Sequence, residues 1–341
     1  MAELSMTAAA AAPRPPRIAP GARVLLILAA LLGVAGAGYM LIGAEGAWAF
    51  LLPFRAAKLA QLALVGAAIS VATILFQTAA GARILTPSAL GFDALYVFTL
   101  TALVSALGGA GFSALPPALV FALNLGAMTL LGMLLFGLLL RRTGEDLVRL
   151  VLAGVVLGIL IRALTNFLQR MIDPADFQIV QALSFARFTQ ADTALLAASS
   201  AACLPAFAAA WALRRRLDVL ALGPVTAAGL GEPPAPLRRM ALALTCVLTA
   251  AATALVGPLS GGMSGPSAFF GLVVSAFVHA VLPSARHALL LPAAALSGAL
   301  LLVAGQLAME RIFALATPVT AVIEVIGGGI FLWLLVKGRL K

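Results

Sequence analysis

Charged residues are scarce in this chain of 341 residues, and their scarcity excludes a water-soluble protein. Asp, Glu, Lys and Arg make up 10% of the sequence, whereas a soluble domain carries roughly 25%. Long stretches contain no charged residue at all: 24–44, 59–82, 94–140, 193–213, 240–285 and 288–309. About 20 apolar helical residues cross a bilayer core, and runs this long do not alternate as barrel strands do. The sequence therefore predicts an all-α fold, a polytopic transmembrane helical bundle.

Cysteine and histidine are also scarce, with two of each, and this excludes several kinds of site. Cys203 and Cys246 lie within apolar stretches, so we expect them to be small buried residues. His279 and His287 stand apart from other candidate ligands in the sequence, and no disulfide framework or metal-binding spacing is present. No Ser/His/Asp or Cys/His grouping is visible. We therefore expect no catalytic residue, no metal site and no cofactor.

The formal net charge of +10 would suggest nucleic acid as the partner of a soluble protein. Here the basic residues gather in the segments between apolar stretches, as in loops that stay cytoplasmic. The expected partner is therefore membrane lipid and not nucleic acid. The sequence contains no Walker A pattern, so any ATP that drives this protein must bind to another chain.

The apolar stretches and the breaks between them predict about ten membrane helices in one transmembrane domain, residues 23–341. The expected helices run over about 24–43, 58–79, 88–107, 117–140, 147–169, 193–213, 239–256, 268–282, 288–308 and 318–336. The Ala/Pro-rich residues 1–22 are expected to form a disordered cytoplasmic tail before a retained anchor helix. With the N-terminus in the cytoplasm, ten helices place the C-terminus in the cytoplasm as well. Most Lys and Arg residues then lie on the cytoplasmic side.

The segment that joins the second and third expected helices carries a more specific pattern than a turn needs. It reads Q-x(5)-R-I-L-T-P-S-x-L-G-F-D from Gln77 to Asp93. A second pattern, L-G-x(6)-L-G, lies in the Gly/Pro-rich loop 217–238, where glycine suits helix ends and fits two short surface helices. Together these patterns resemble the FecCD family, the membrane permeases of ABC importers for iron-siderophores, haem and cobalamin.

Residues 173–177 narrow this resemblance, because they read D-P-x-x-F. With R-I-L-T-P-S-x-L-G-F-D, this motif is similar to a subset of the family that takes up catechol-type iron-siderophores. The resemblance covers about residues 50–341 and implies a cobalamin/siderophore importer type of permease in the bacterial cytoplasmic (inner) membrane. It also implies that the chain is a transporter subunit and not an enzyme, since ATP is hydrolysed on a partner chain.

The resemblance implies three kinds of protein partner. Two permeases pair around a central pathway, and the catechol-type subset favours a heterodimer with a second permease subunit. Two ABC ATPase subunits bind below, and a periplasmic or lipid-anchored substrate-binding protein docks above.

The resemblance assigns ATPase coupling to five residues of the 217–238 loop: Leu222, Gly223, Ala227, Leu230 and Gly231. The family often has acidic residues after the first Leu-Gly and an arginine before the second. This chain has Pro224, Val225 and Ala228 in those places, which indicates a more apolar contact or an unusual ATPase partner.

The resemblance also implies that Arg55, Lys58 and Arg311 meet acidic residues of the binding protein, where complementary charges set orientation and association rate. The alternative for these three residues is snorkelling, in which basic side chains reach toward the lipid headgroups.

Six residues are candidates for the pathway or its gate: Gln77, Asp93, Arg162, Gly257, Pro258 and Glu324. A charge at the centre of a membrane helix costs about 2.5–3.5 kcal/mol on insertion scales, so such residues should face protein or water. Asp93 and Arg162 are possible partners of each other. The family pattern that begins at Gly257-Pro258 is interrupted here by extra Gly and Pro residues at 261–267, which puts the local gate geometry in question.

Two other readings of the chain remain open. An ion-gradient-driven secondary transporter would use Glu324 or another intramembrane carboxylate as a proton relay, and a scaffold protein would not transport at all. Within the family, haem or cobalamin is the alternative substrate to an iron-siderophore.

Overall fold

The computed structural model describes residues 20–42, 48–83, 85–143, 147–184, 188, 192–257, 269–311 and 329. Within these residues every regular element is a helix, and eight helices are long and apolar enough to cross a membrane. The helices are α1 (Pro20–Leu41), α2 (Trp48–Ala80), α3 (Phe92–Ser113), α4 (Pro117–Thr143), α5 (Leu147–Gln169), α6 (Pro174–Leu183), α7 (Thr193–Ala212), α8 (Arg214–Leu220), α9 (Pro224–Gly229), α10 (Pro234–Val256), α11 (Phe269–Val281) and α12 (His287–Arg311).

The expected membrane helices between residues 24 and 308 are all present, which confirms the all-α bundle. They correspond to α1–α5, α7 and α10–α12. All of the last expected helix, about 318–336, except residue 329 lies outside the described residues, as do nearly all of the tail 1–22 and the extra Gly and Pro residues at 261–267.

The structure differs from the expected layout at the start of α2. The helix was expected from about residue 58 but begins at Trp48 and continues through Pro53. The added turns hold one charged residue, Arg55, and its guanidinium is satisfied by backbone carbonyl groups of the neighbouring helix. A charge that is satisfied in this way does not end the helix.

The helix α6 lies between the expected membrane helices 147–169 and 193–213, where no helix was predicted. Its start carries a recognisable signal, since Asp173 occupies the N-cap position and Pro174 the first helical position. The helix packs against α3, where the Asp176 side chain lies against Gly109. Near this contact Gly108 has a left-handed backbone (φ 69°) that interrupts α3, so the break expected after residue 107 is confirmed.

The centre of the bundle is α2, which packs against α1, α7, α8, α10, α11 and α12. In α2, 67% of the membrane-spanning window is buried, compared with 17% in α1 at the periphery. The closest crossing joins α2 to α12, because a Cβ added at Gly66 would overlap the backbone of Gly298. Small residues at such a crossing let helix backbones approach closely, which drives association in lipid.

The bundle has two ends, and each contains candidate functional residues. The coupling end contains α8, α9, the end of α2 and the start of α12, at residues 214–233, 78 and 287. The opposite end contains the end of α1, the start of α2 and the end of α12, near residues 42, 55 and 311. Residues 58 and 78 of α2 are separated by about 30 Å at 1.5 Å per residue.

Candidate functional site

The coupling segment, residues 214–233, forms two short helices at the coupling end, as the L-G-x(6)-L-G pattern predicts. Helix α8 ends before Gly223, which has a φ of 98°, and α9 is followed by Gly231 with a φ of 84°. Residues with a Cβ rarely adopt these angles, so both glycines allow the chain to turn sharply on either side of α9. The two Leu-Gly pairs therefore form the turns that determine the shape of this segment.

The five coupling candidates are the two turn glycines, two exposed leucines and one buried alanine. Leu222 and Leu230 are each 61% exposed, and the neighbouring Val225 is 77% exposed. Ala227 is fully buried, so it packs α9 against the rest of the bundle and does not form the surface. The exposed set, Leu222, Val225 and Leu230, is called the apolar coupling patch below. Exposed apolar clusters of this kind mark sites of protein or membrane contact.

A charged pair joins the two ends of the coupling segment, because Arg216 lies near its start and Glu232 near its end. Nε and Nη2 of Arg216 bind Glu232 Oε2 at 2.9 Å each, and Nε also lies 3.1 Å from Oε1. Bidentate pairs of this type fix geometry better than single contacts. Leu217 and Leu220 anchor α8 in the core, where both are buried. The apolar coupling patch is thus held on a platform with a defined shape.

A second contact joins the coupling segment to the membrane helices, and no pattern in the sequence indicates it. Asp218 of α8 accepts the backbone N–H of His287 at 2.6 Å and binds the ring Nδ1 at 2.7 Å. The other ring nitrogen, Nε2, lies 2.8 Å from the hydroxyl of Thr78 at the end of α2. The imidazole is buried, with 2% of its side chain exposed. Helices α8, α12 and α2 therefore meet at one ring.

Gln77 lies beside this ring and joins α2 to two further segments, the turn after α2 and helix α11. Its Nε2 donates to the Arg83 carbonyl at 2.6 Å and to Ser275 Oγ of α11 at 2.9 Å. A cavity of about 120 Å³ is lined by Gln77, Thr78, Arg83 and both histidines. The two histidines, which stand apart in sequence, thus face the same space. A signal for this was present, since both lie near ends of apolar stretches where polar side chains meet loop groups.

Asp93 lies at the start of α3 and Arg162 lies within α5, and these two helices contact each other. The hydroxyl of Ser88 donates to Asp93 Oδ1 at 3.2 Å, at the start of α3. The Arg162 guanidinium lies against Gly158 of α5, and Gly158 in turn packs on Gly91, two residues before Asp93. The close approach of Gly91 and Gly158 brings the R-I-L-T-P-S-x-L-G-F-D turn onto α5.

At the opposite end, Arg55 and Arg311 bind the last carbonyl groups of α1. Arg55 Nη1 donates to the carbonyls of Met40 at 2.9 Å and Ile42 at 3.0 Å, and Arg311 also donates to Ile42. Cations are favourable at a helix C-terminus, where the carbonyl groups lack helical partners. Both arginines therefore fasten α1 to α2 and α12.

Lys58, the third docking candidate, is buried beneath these arginines. Its Nζ lies 2.5 Å from Glu310 Oε1 of α12, and 8% of its side chain is exposed. The same oxygen accepts the hydroxyl of Tyr39 at 3.2 Å and the amide of Gln306 at 2.7 Å. Glu310 was not among the sequence candidates, although it precedes Arg311 directly. This cluster ties α1, α2 and α12 together from within.

Gly257 lies at the far end of α10 from the coupling segment and has a φ of 92°. It lines a cavity of about 420 Å³ with Gln61 and Asn124, both of which are buried. Among the described residues, nothing donates to Gln61 Oε1 or Asn124 Oδ1. The cavity therefore presents two acceptors suited to water or to a donor group. The structure separates Gly257 from Gln77 and Asp93, while Pro258 and Glu324 lie outside the described residues.

Comparison with known proteins adds to this geometry. The model of the FecCD transport family matches residues 23–337. The chain is 32% identical over 306 residues to the petrobactin import system permease protein YclO of Bacillus subtilis (strain 168), covering 90% of this chain and 95% of that protein. It is 27% identical over 282 residues to the petrobactin import system permease protein FatC of Bacillus anthracis, covering 82% and 77%.

One solved structure, an inward-facing conformation of a metal-chelate type ABC transporter, is similar with a TM-score of 0.76. The alignment covers 93% of this chain and 99% of that one at 22% identity, which shows a shared fold. The family model spans nearly the whole sequence, and one relative exceeds 30% identity over nearly its whole length. This chain is a member of the FecCD transport family.

Proposed function

We propose that this chain is a permease subunit of an ABC importer that carries an iron-siderophore complex across the bacterial cytoplasmic membrane. The observation that carries the proposal is the apolar coupling patch, which is exposed on a braced segment of a FecCD family member. Three large exposed aliphatic side chains on a segment between membrane helices form an apolar surface, and such a surface marks a site of contact with a partner. A partner subunit that binds ATP is the occupant this surface fits best.

In this proposal the ATPases close on ATP and push against the coupling segment. Leu222, Val225 and Leu230 enter an apolar groove of the ATPase, while Gly223 and Gly231 set the angle at which α9 is presented. Ala227 allows α9 to lie close to the bundle. The apolar character of the patch agrees with the loss of acidic residues and arginine at Pro224, Val225 and Ala228.

At the opposite end we propose that a periplasmic or lipid-anchored binding protein docks near Arg55 and Arg311. Arg55 of α2 and Arg311 of α12 lie beside the last carbonyl groups of α1, and they add positive charge to the surface of the opposite end. Lys58 is buried in its pair with Glu310, so it adds less to that surface than the two arginines do. Interface charges of this kind mainly accelerate association and set orientation.

The substrate is proposed from the relatives, since two of them are named as petrobactin import permeases. Iron-siderophore is therefore favoured over haem and cobalamin. We propose that a second permease completes the pathway as a heterodimer, with both termini of this chain in the cytoplasm. Gln77, Asp93, Arg162, Gly257, Pro258 and Glu324 remain the candidates that line or gate it.

The test is substrate uptake by the full assembly in proteoliposomes. This permease is expressed together with its ATPase, second permease and binding protein, and the purified assembly is reconstituted. Iron-petrobactin is the probe, with haem and cobalamin as competitors. We expect uptake that requires ATP and stops with vanadate. Uptake that survives vanadate and collapses with a protonophore would show a secondary transporter instead.

The apolar coupling patch is tested by the double variant Leu222→Asp/Leu230→Asp. We expect the purified permease to lose its ATPase subunits, because two carboxylates cannot be buried in an apolar groove without a large desolvation cost. The matched control Leu222→Met/Leu230→Met keeps size and apolar character and should retain the ATPase. Equal retention of the ATPase by both double variants would contradict the proposed role of the patch.

A further inference from the structure

We infer that Asp218, His287 and Thr78 form a mechanical link that passes motion of the coupling segment to α12 and α2. The inference rests on the proposed function and adds to it three positioning residues. None of them belongs to the apolar coupling patch, and none lies on the opposite end where substrate would enter.

The link is continuous through hydrogen bonds of ordinary length. Asp218 Oδ1 binds both the backbone N–H and the ring Nδ1 of His287, at 2.6 and 2.7 Å. His287 Nε2 is 2.8 Å from Thr78 Oγ1. A displacement of α8 therefore acts on the first residue of α12 and on the last turn of α2 together.

The geometry of Asp218 differs from that of an ordinary helix cap. Asp192 is an ordinary cap, since it accepts the N–H groups of Ala194 and Leu195 at the start of its own helix α7. Asp218 instead accepts the first N–H of a helix that begins 69 residues later, and it also holds that residue's side chain. A cap that served α12 alone would not need to come from the coupling segment.

The donors and acceptors at this ring follow from the chemistry of its partners. A carboxylate oxygen accepts hydrogen bonds, so His287 Nδ1 donates to Asp218. When the ring carries this one hydrogen, Nε2 accepts from the Thr78 hydroxyl, 2.8 Å away. That hydroxyl also lies 2.9 Å from the Ile74 carbonyl of its own helix, so its single hydrogen is the one that joins α2 to the ring.

The two helices that receive the motion, α2 and α12, contact each other at three levels of the bundle. Beyond the Thr78–His287 contact, they cross closely at Gly66 and Gly298. The Lys58–Glu310 pair joins them again, about 30 Å along α2 from Thr78. The link thus joins the coupling segment to the central pair of helices and to the opposite end.

The experiment measures ATP hydrolysis and iron-petrobactin uptake in the same proteoliposomes containing the full assembly. The variants are Asp218→Ala and Thr78→Val, and Thr78→Ser is the conservative variant that keeps the hydroxyl. Asp192→Ala and Thr99→Val are matched controls. The first removes a cap at the start of α7, and the second removes a hydroxyl that donates to Leu95 within its own helix.

We expect Asp218→Ala and Thr78→Val to hydrolyse ATP within about twofold of wild type. Uptake per ATP should fall about tenfold, within the usual range of coupling between sites. Thr78→Ser should restore uptake, and both controls should match wild type. This split between hydrolysis and uptake is not expected from a residue that only stabilises the fold.

Three results would overturn the inference. If Thr78→Val takes up substrate like Thr99→Val, the link does not reach α2. If Asp218→Ala and Asp192→Ala lower hydrolysis and uptake in parallel, Asp218 is only a stabilising residue. If wild type shows no ATP-dependent uptake, the proposed function fails and the link fails with it, whereas the first two results leave that function intact.

Discussion

The buried pair of Lys58 and Glu310 gives the sharpest prediction on stability. Glu310 Oε1 accepts hydrogen bonds from Lys58, Tyr39 and Gln306, and the two charged side chains are 8% and 19% exposed. The substitution Glu310→Gln removes the negative charge and leaves the ammonium group buried. Breaking a fully buried pair costs about 3–5 kcal/mol. Because the partial exposure of Glu310 and the remaining amide oxygen offset part of this, we expect the free energy of unfolding to fall by about 2–4 kcal/mol.

The measurement is reversible unfolding in mixed detergent micelles, carried out as a double-mutant cycle with Lys58→Met. The double variant no longer contains the stranded ammonium group, so it should be more stable than the sum of the single changes predicts. We expect an interaction energy of about 1–3 kcal/mol. The control is Glu232→Gln, whose partner Arg216 is 42% exposed, and we expect it to cost less than about 1 kcal/mol.

Two results would refute this reasoning. A loss in Glu310→Gln no greater than in Glu232→Gln would mean that burial does not distinguish the two pairs. Additive single changes, within about 0.5 kcal/mol, would mean that Lys58 and Glu310 do not interact in the folded protein.

Further changes test the packing and the local structure. Gly298→Val should destabilise the bundle by about 1–3 kcal/mol or more, because the new side chain overlaps α2, whereas Gly33→Val, with open space around it, should be nearly neutral in the same unfolding assay. The two cysteines, Cys203 and Cys246, are fully buried, so a polar maleimide should label the folded protein slowly and the unfolded protein quickly; rapid labelling of both would contradict their placement. Asp192→Ala should cost about 1 kcal/mol of unfolding free energy through loss of the α7 cap, and no change would show that the cap is not formed.

The parts of the candidate site that depend on local backbone geometry could be predicted from the sequence. The two Leu-Gly pairs predicted a pair of short helices because glycine permits the required turns, and the structure has α8 and α9 there. The sequence could not separate Leu222 and Leu230, which are exposed, from Ala227, which is buried. Burial depends on which neighbouring helices cover a residue, and local pattern does not contain that information.

Contacts between residues far apart in the chain also could not be predicted from local sequence pattern. Glu310 and Asp218 find their partners 252 and 69 residues away, so no spacing rule connects them. The two histidines stand apart from other candidate ligands in the sequence, yet His287 joins three helices in the structure. The α6 helix was missed because its ten residues are too polar for a membrane span, although its Asp-Pro start was readable.

By itself the sequence determined the class of this protein and the approximate position of each described membrane helix. Long uncharged runs must form helices in lipid, because their backbone polar groups have no other partner there. Only the tertiary structure decided which polar side chains meet across the bundle: Lys58 with Glu310, and Asp218 with His287 and Thr78. Those meetings follow from helix crossings such as Gly66 with Gly298, where small residues far apart in the chain allow the backbones to touch.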